Sequence, residues 1–231
     1  MKIVWVLMGL MLAGVASAQC VEGALEGDGQ VLHARYQVIS EGGHHVVDFY
    51  RSGNQVAWQR GDVISVWKKE AENASLLRAF SGYERSIWYP AGDLRALGKG
   101  ARWQGVTGWV EPEQAGFSPV EGGNAVVLGC PVQIYQSGDE AQVLWIEQAG
   151  VPARVADAAQ QWQLVSIEQK SMSETFGRWR KWPSTDFADV GDNEADPFLR
   201  KMIALGFVEH GASGFYQANG EPLHGGGTHH H

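Results

Sequence analysis

Only two of the 231 residues are cysteine, only eight are proline, and cations are scarce, with 18 Lys and Arg against 26 Asp and Glu. Two thiols are too few to hold a tetrahedral Cys-based zinc ion alone or to staple a knottin-like scaffold. The formal charge of −8 argues against sequence-independent nucleic-acid binding, which needs a dense cationic footprint. Catalytic signatures are missing too. There is no G-x-S-x-G, H-E-x-x-H, phosphate loop or dinucleotide fingerprint, and Gly211-Ala212-Ser213-Gly214 reads as a turn rather than a nucleophile elbow. No cofactor is implied. A non-enzymatic role is the first expectation, with an unadvertised hydrolase as an alternative.

The one long apolar run opens the chain. In MKIVWVLMGLMLAGVASA, Lys2 supplies the positive start, Ile3 to Val15 the apolar stretch, and Ala16-Ser17-Ala18 the small-residue cleavage signal. Residues 1–18 are therefore expected to be a cleaved export signal, and the run is short for a membrane span. Gln19 stands where a lipidated Cys20 would need a small residue, so no lipid anchor is expected. The location implied is periplasmic or secreted. Without Lys2 the chain keeps 17 cations against 26 acidic groups, a charge of −9. In an oxidising compartment Cys20 and Cys130 are expected to form a disulfide, the alternative being two separate buried thiols.

What is abundant is alternation. Residues 31–39 put Leu32, Ala34, Tyr36 and Val38 on one face and His33, Arg35 and Gln37 on the other. Similar segments fall at 46–51, 55–60, 62–68, 76–80, 84–89, 101–110, 125–128, 132–136, 142–148, 153–157 and 161–170. Turn chemistry such as Ser52-Gly53-Asn54, Gly61-Asp62 and Ser137-Gly138-Asp139 separates several of them. Some ten to twelve strands predict a mainly β (α+β) fold, a large curled antiparallel sheet or open half-barrel. Residues 111–124 are expected to be a long surface loop. The pattern changes near the end: Asp196 as N-cap, Pro197 at the first helical position, and the spacing of Phe198, Leu199, Met202 and Ile203 predict a C-terminal helix over 197–206. Residues 19–216 read as one domain and 217–231 as a flexible His/Gly tail.

Four groups of residues offer chemistry. Asp186, Asp189, Asp192, Glu194 and Asp196 form an acidic stretch in which 192, 194 and 196 resemble the first ligands of a calcium loop. Pro197 replaces the usual glycine, however, and no Glu stands at the twelfth position, so capping and turn formation compete with metal. His224, His229, His230 and His231 in the tail, with His44-His45 as distant help, suit a transition metal or else a purification remnant. Nine Trp follow the signal and imply either aromatic core packing or an apolar ligand surface. Arg178-Trp179-Arg180-Lys181-Trp182 is the one basic segment, suited to transient contact with an anionic membrane surface or to internal cation–π packing.

The segment from Gly129 to Arg154, G-C-P-V-Q-I-Y-Q-S-G-D-E-A-Q-V-L-W-I-E-Q-A-G-V-P-A-R, is similar to the late hairpin and following V-P or L-P step of the LolA/LolB/RseB-type envelope proteins. The likeness runs from about Val31 to Lys170. It implies an unclosed half-barrel wrapped on helices, and a periplasmic protein that holds a lipid, a hydrophobic ligand or an acylated partner. The clear helix lies at the C-terminus here, unlike in the lipoprotein carriers, and no functional residue transfers. A metal-binding envelope protein built on the His tail is the rival expectation.

Overall fold

The computed structural model describes residues 20–21, 29–106, 108–138, 141–156, 159–193 and 195–208. The expected export signal and His tail lie outside them, as does Glu194. Twelve strands run through the described residues: β1 (Gln30–Ser40), β2 (Gly43–Ser52), β3 (Gln55–Arg60), β4 (Val63–Glu70), β5 (Asn73–Phe80), β6 (Arg85–Tyr89), β7 (Ser118–Val127), β8 (Cys130–Ser137), β9 (Ala141–Ile146), β10 (Val151–Ala156), β11 (Gln160–Ser171) and β12 (Ser184–Asp186). Three short helices join them: α1 (Ala91–Ala96), α2 (Phe176–Trp179) and α3 (Pro197–Ala204).

All twelve strands form one open sheet in the order β12-β6-β5-β4-β3-β2-β1-β11-β10-β9-β8-β7. Two meanders, β1 to β6 and β7 to β11, are zipped together where β1 pairs antiparallel with β11. The mainly β, unclosed architecture matches the sequence expectation, with one correction. Short β12 lies parallel to β6, so the sheet is mixed rather than wholly antiparallel.

The face carrying Leu32, Ala34, Tyr36 and Val38 is buried throughout, and it curls. Strands β3 and β11 are three spacings apart, roughly 14 Å in a flat sheet. Yet the rings of Trp58 and Trp162, one from each, lie 6.1 Å apart. The Tyr36 hydroxyl likewise donates to the Pro152 carbonyl on β10 at 2.9 Å. Trp109 fills the space between them, 5.3 Å from Tyr36, 5.5 Å from Trp58 and 5.3 Å from Trp162.

Trp109 belongs to residues 101–110, where a strand was expected. The segment instead makes a single bridge, Asn73 to Arg102, then a short 3-10 turn over Trp103–Gly105, and contributes Trp103, Val106 and Trp109 to the buried clusters of the inner face. Trp103, Val106 and Trp109 recur every third residue, a spacing that strand alternation cannot bury on one side. Gly108 permits the close approach. Its φ is +110°, and a Cβ there would stand 2.7 Å from the Phe49 ring.

Helix α3 covers the β4–β6 end of the same face, burying Phe198, Leu199 and Met202 in a cluster with Leu76, Phe80, Ile87 and Tyr89. Its start follows the sequence: the Asp196 carboxylate accepts from the Phe198 N–H at 2.8 Å, and Pro197 is the first helical residue. The expected disulfide closes the opposite region. Cys20 and Cys130 are bonded, their Cα atoms 4.5 Å apart, and Cys130 is buried among Val132, Ile146 and Val151.

The outer face is only partly covered. Helix α2 and the residues after it lay Phe176, Trp179 and Trp182 on Val31, Tyr50, Ala57, Ile64, Val66 and Ala79. Neither this helix nor α1 was foreseen, because both are too short to show helical periodicity. The loop expected over 111–124 is cut short, since β7 starts at Ser118 and pairs irregularly with β8 between Pro119 and Asn124.

Candidate functional site

Beside α2 the outer face holds a groove of about 230 Å³, lined by Gln55, Val66, Lys68, Glu70, Ser75, Leu77, Trp88 and Arg180. Register explains the grouping. Val66 on β4 is opposite Leu77 on β5, which is opposite Trp88 on β6, making an apolar row across three strands. One step along, Gln55, Lys68 and Ser75 form a polar row. Arg180 overhangs from the residue after α2, its Nε donating to the Phe176 carbonyl at 3.2 Å. The indole of Trp88 is 39% exposed, whereas Trp58, Trp67, Trp145 and Trp162 are all buried. The groove thus offers an apolar floor, one accessible aromatic wall and two cations against one carboxylate.

A second polar arrangement lies between β1, β2 and β11. Both ring nitrogens of His33 face carboxylates: Nε2 is 2.6 Å from Asp48 Oδ1 and Nδ1 is 2.9 Å from Glu168 Oε1. Arg35 Nε donates to Asp48 at 2.8 Å, and Lys170 Nζ stands 3.2 Å from Glu168. Burial pushes the Asp48 carboxyl up, but the hydrogen bonds from His33 and Arg35 outweigh it and hold the group below its ordinary value. The hydrogen bond from His33 does the same to Glu168. His33 is 2% exposed and stacked on Tyr50 at 4.5 Å. With both nitrogens engaged and the ring buried, it cross-links three strands.

The residues singled out in the sequence are dispersed. In the basic segment Trp179 and Trp182 are buried against the sheet, and the Arg178 guanidinium sits 5.8 Å from the Trp182 ring. The two indoles are therefore unavailable to a membrane surface, and only Arg178, Arg180 and Lys181 face solvent. The interleaving of cations with Trp serves internal packing. In the acidic stretch Asp186 accepts from the Ala188 N–H, and Asp196 both caps α3 and pairs with Arg85 at 2.9 Å. Among the described residues no group of three His, Cys, Asp or Glu side chains is arranged to hold a metal ion. His44 and His45 are exposed residues of β2, and the His224 and His229–His231 tail lies outside the described residues.

Sequence reasoning grouped Trp88 with the other indoles. The α2 residues Phe176 and Trp179 and the following Trp182 cluster with Val66 on β4 but not with Trp88, and no local signal announces that. The polar side of β1 was visible, but Glu168 stands 135 residues from His33 and reaches it only through the β1–β11 pairing.

No protein-family model matches the chain, and no curated protein matches it in sequence. Among solved structures it is similar to PNGF-II, with 11% identity and a TM-score of 0.39, covering 68% of this chain and 31% of that one. It is also similar to the Pseudomonas aeruginosa MucA/MucB complex, with 12% identity and a TM-score of 0.33, covering 62% of this chain and 52% of that one. MucB in complex with MucA(peri) matches at 10% identity and a TM-score of 0.31. The chain spans from 31% to 52% of the length of these three structures. Such TM-scores fall below the level that marks a shared fold, so the LolA/RseB-type resemblance stands as a weak architectural likeness.

Proposed function

We propose that this chain is an exported, non-enzymatic binding protein of the cell envelope, and that its ligand-contact surface is the groove over β3 to β6. Residues 1–18 act as a cleaved signal, residues 19–216 as the folded unit and residues 217–231 as a tail. The Cys20–Cys130 disulfide supports an oxidising location. The observation that carries the binding role is Trp88, a large indole left 39% exposed beside Val66 and Leu77 in a concavity. An accessible aromatic and apolar floor with a few convergent polar groups is the usual make-up of a ligand site.

The sequence expectation is a hydrophobic ligand or acylated partner held by the curled sheet, with no residues assigned to it. On the inner face Trp58, Trp109, Trp162 and Tyr36 pack against one another, which supports the outer groove as the contact surface. Native mass spectrometry of the full chain after mild purification tests the role. An organic adduct retained by the wild type and by Val126→Ser, and lost by Trp88→Ala, is expected. An adduct that survives Trp88→Ala, or a wild type with none, overturns it.

A further inference from the structure

Resting on the proposed binding role, we infer that the groove selects an aromatic anion: a flat ring system carrying a single carboxylate or sulfonate. Three features of the groove specify this chemistry.

The first is shape. The concavity of about 230 Å³ lies below the roughly 300–1,000 Å³ of sites that enclose a drug-sized molecule. It takes one ring or a fused pair, and a long acyl chain exceeds it. The second is the floor. Val66, Leu77 and Trp88 occupy one register row, so their side chains present a surface three strands wide with the indole at its end. A flat ring laid on that row is desolvated on one side and meets the indole in an offset or edge-on contact.

The third is charge. Lys68 and Arg180 line the groove together with Glu70, leaving one net positive charge on a protein that carries −8 overall. Lys68 lies in the polar row directly beside the apolar one, and the Ser75 hydroxyl and Gln55 amide flank it on the neighbouring strands. Arg180 spends its Nε on the Phe176 carbonyl, and this bond fixes the direction of the remaining fork of donors. An anionic group held between a guanidinium and an ammonium, with a hydroxyl and an amide in reach, receives charge-assisted hydrogen bonds. A neutral ring meets the same floor but leaves both cations unpaired. A cationic ring is repelled by both.

Two probes built on a fused pair separate the components: naphthalene-2-sulfonate, which carries the anion, and 2-methylnaphthalene, which lacks it. Fluorescence titration of the full chain is expected to give saturable one-to-one binding of the sulfonate probe, at least fivefold tighter than the neutral one. Trp88→Ala should weaken both probes. Lys68→Gln and Arg180→Gln should each weaken the sulfonate probe at least fivefold and leave the neutral probe within twofold. Arg180→Lys, which keeps the charge but loses the guanidinium fork, should recover part of the loss relative to Arg180→Gln. Added salt should weaken only the sulfonate probe. Equal binding of both probes, unmoved by the Lys68 and Arg180 variants, overturns the anion selectivity while the binding role stands. Failure of both probes to respond to Trp88→Ala removes the groove itself, and with it the role on which the selectivity rests.

Discussion

His33 Nε2 and the Asp48 carboxylate meet at 2.6 Å across the β1–β2 pair, with both side chains buried and Arg35 completing the pair from the solvent side. Glu168 engages the other ring nitrogen from β11. The one ring thus meets a buried carboxylate on β2 and an exposed one on β11. It spans the seam where the two meanders of the sheet are joined.

Stability should fall in acid because of this seam. Asp48 and Glu168 are both held below their ordinary values in the folded chain. A depressed carboxyl contributes stability above its unfolded pKa and loses it as pH falls through the folded one. Thermal unfolding followed by circular dichroism should show the loss setting in below about pH 4. In Asp48→Asn the acid limb should be shallower and the melting temperature near neutral pH lower.

Replacing His33 with Leu leaves the Asp48 carboxylate with Arg35 alone, and Arg35 is half exposed. Stranding part of a buried acceptor costs about 1–3 kcal/mol. Urea unfolding should place the variant in that range, while Gln37→Ala on the same strand changes little. A His33→Leu variant as stable as wild type would show that the cluster contributes nothing net.

The disulfide should matter as much as a large core side chain. Cross-linking residues 110 apart removes chain entropy worth roughly 4–5 kcal/mol from the unfolded state in the loop-closure model. The Cys20→Ser/Cys130→Ser double variant, or the reduced wild type, should unfold at markedly lower urea. Equal midpoints for oxidised and reduced protein would contradict this.

Tryptophans of the two faces should respond differently. Trp162→Ala opens a void among Tyr36, Trp58 and Trp109 and should cost about 3–5 kcal/mol. Trp88→Ala removes a partly solvated ring and should cost less than half as much, so its effect on binding can be read on a folded protein.

Asp196→Ala removes a helix cap and the partner of Arg85 together. Loss of the cap costs about 1 kcal/mol. Because the Arg85 hydrogen bond holds the Asp196 carboxyl below its ordinary value, the difference between wild type and variant should narrow below about pH 4.

Much of this protein is written in local pattern. Alternation from Val31 to Ile39 sorts Tyr36 from His33, turn residues set the hairpins, Asp196-Pro197 starts α3, and two lone cysteines have only each other. Each of these depends on neighbours a few residues away or on simple counting. The sequence by itself therefore determined a mainly β chain with a C-terminal helix start, and it favoured a disulfide between Cys20 and Cys130 over two separate thiols. Tertiary structure alone decided the rest. Curling brought Trp58 and Trp162 within 6.1 Å and filled the inner face, and the path of residues 101–110 placed Trp109 between them. The same packing buried Trp179 and Trp182 but left Trp88 in the open beside Lys68 and Arg180. An indole reads the same in any strand. Whether it becomes core or surface depends on which distant segment lies over it, and no residue near Trp88 in the chain carries that information.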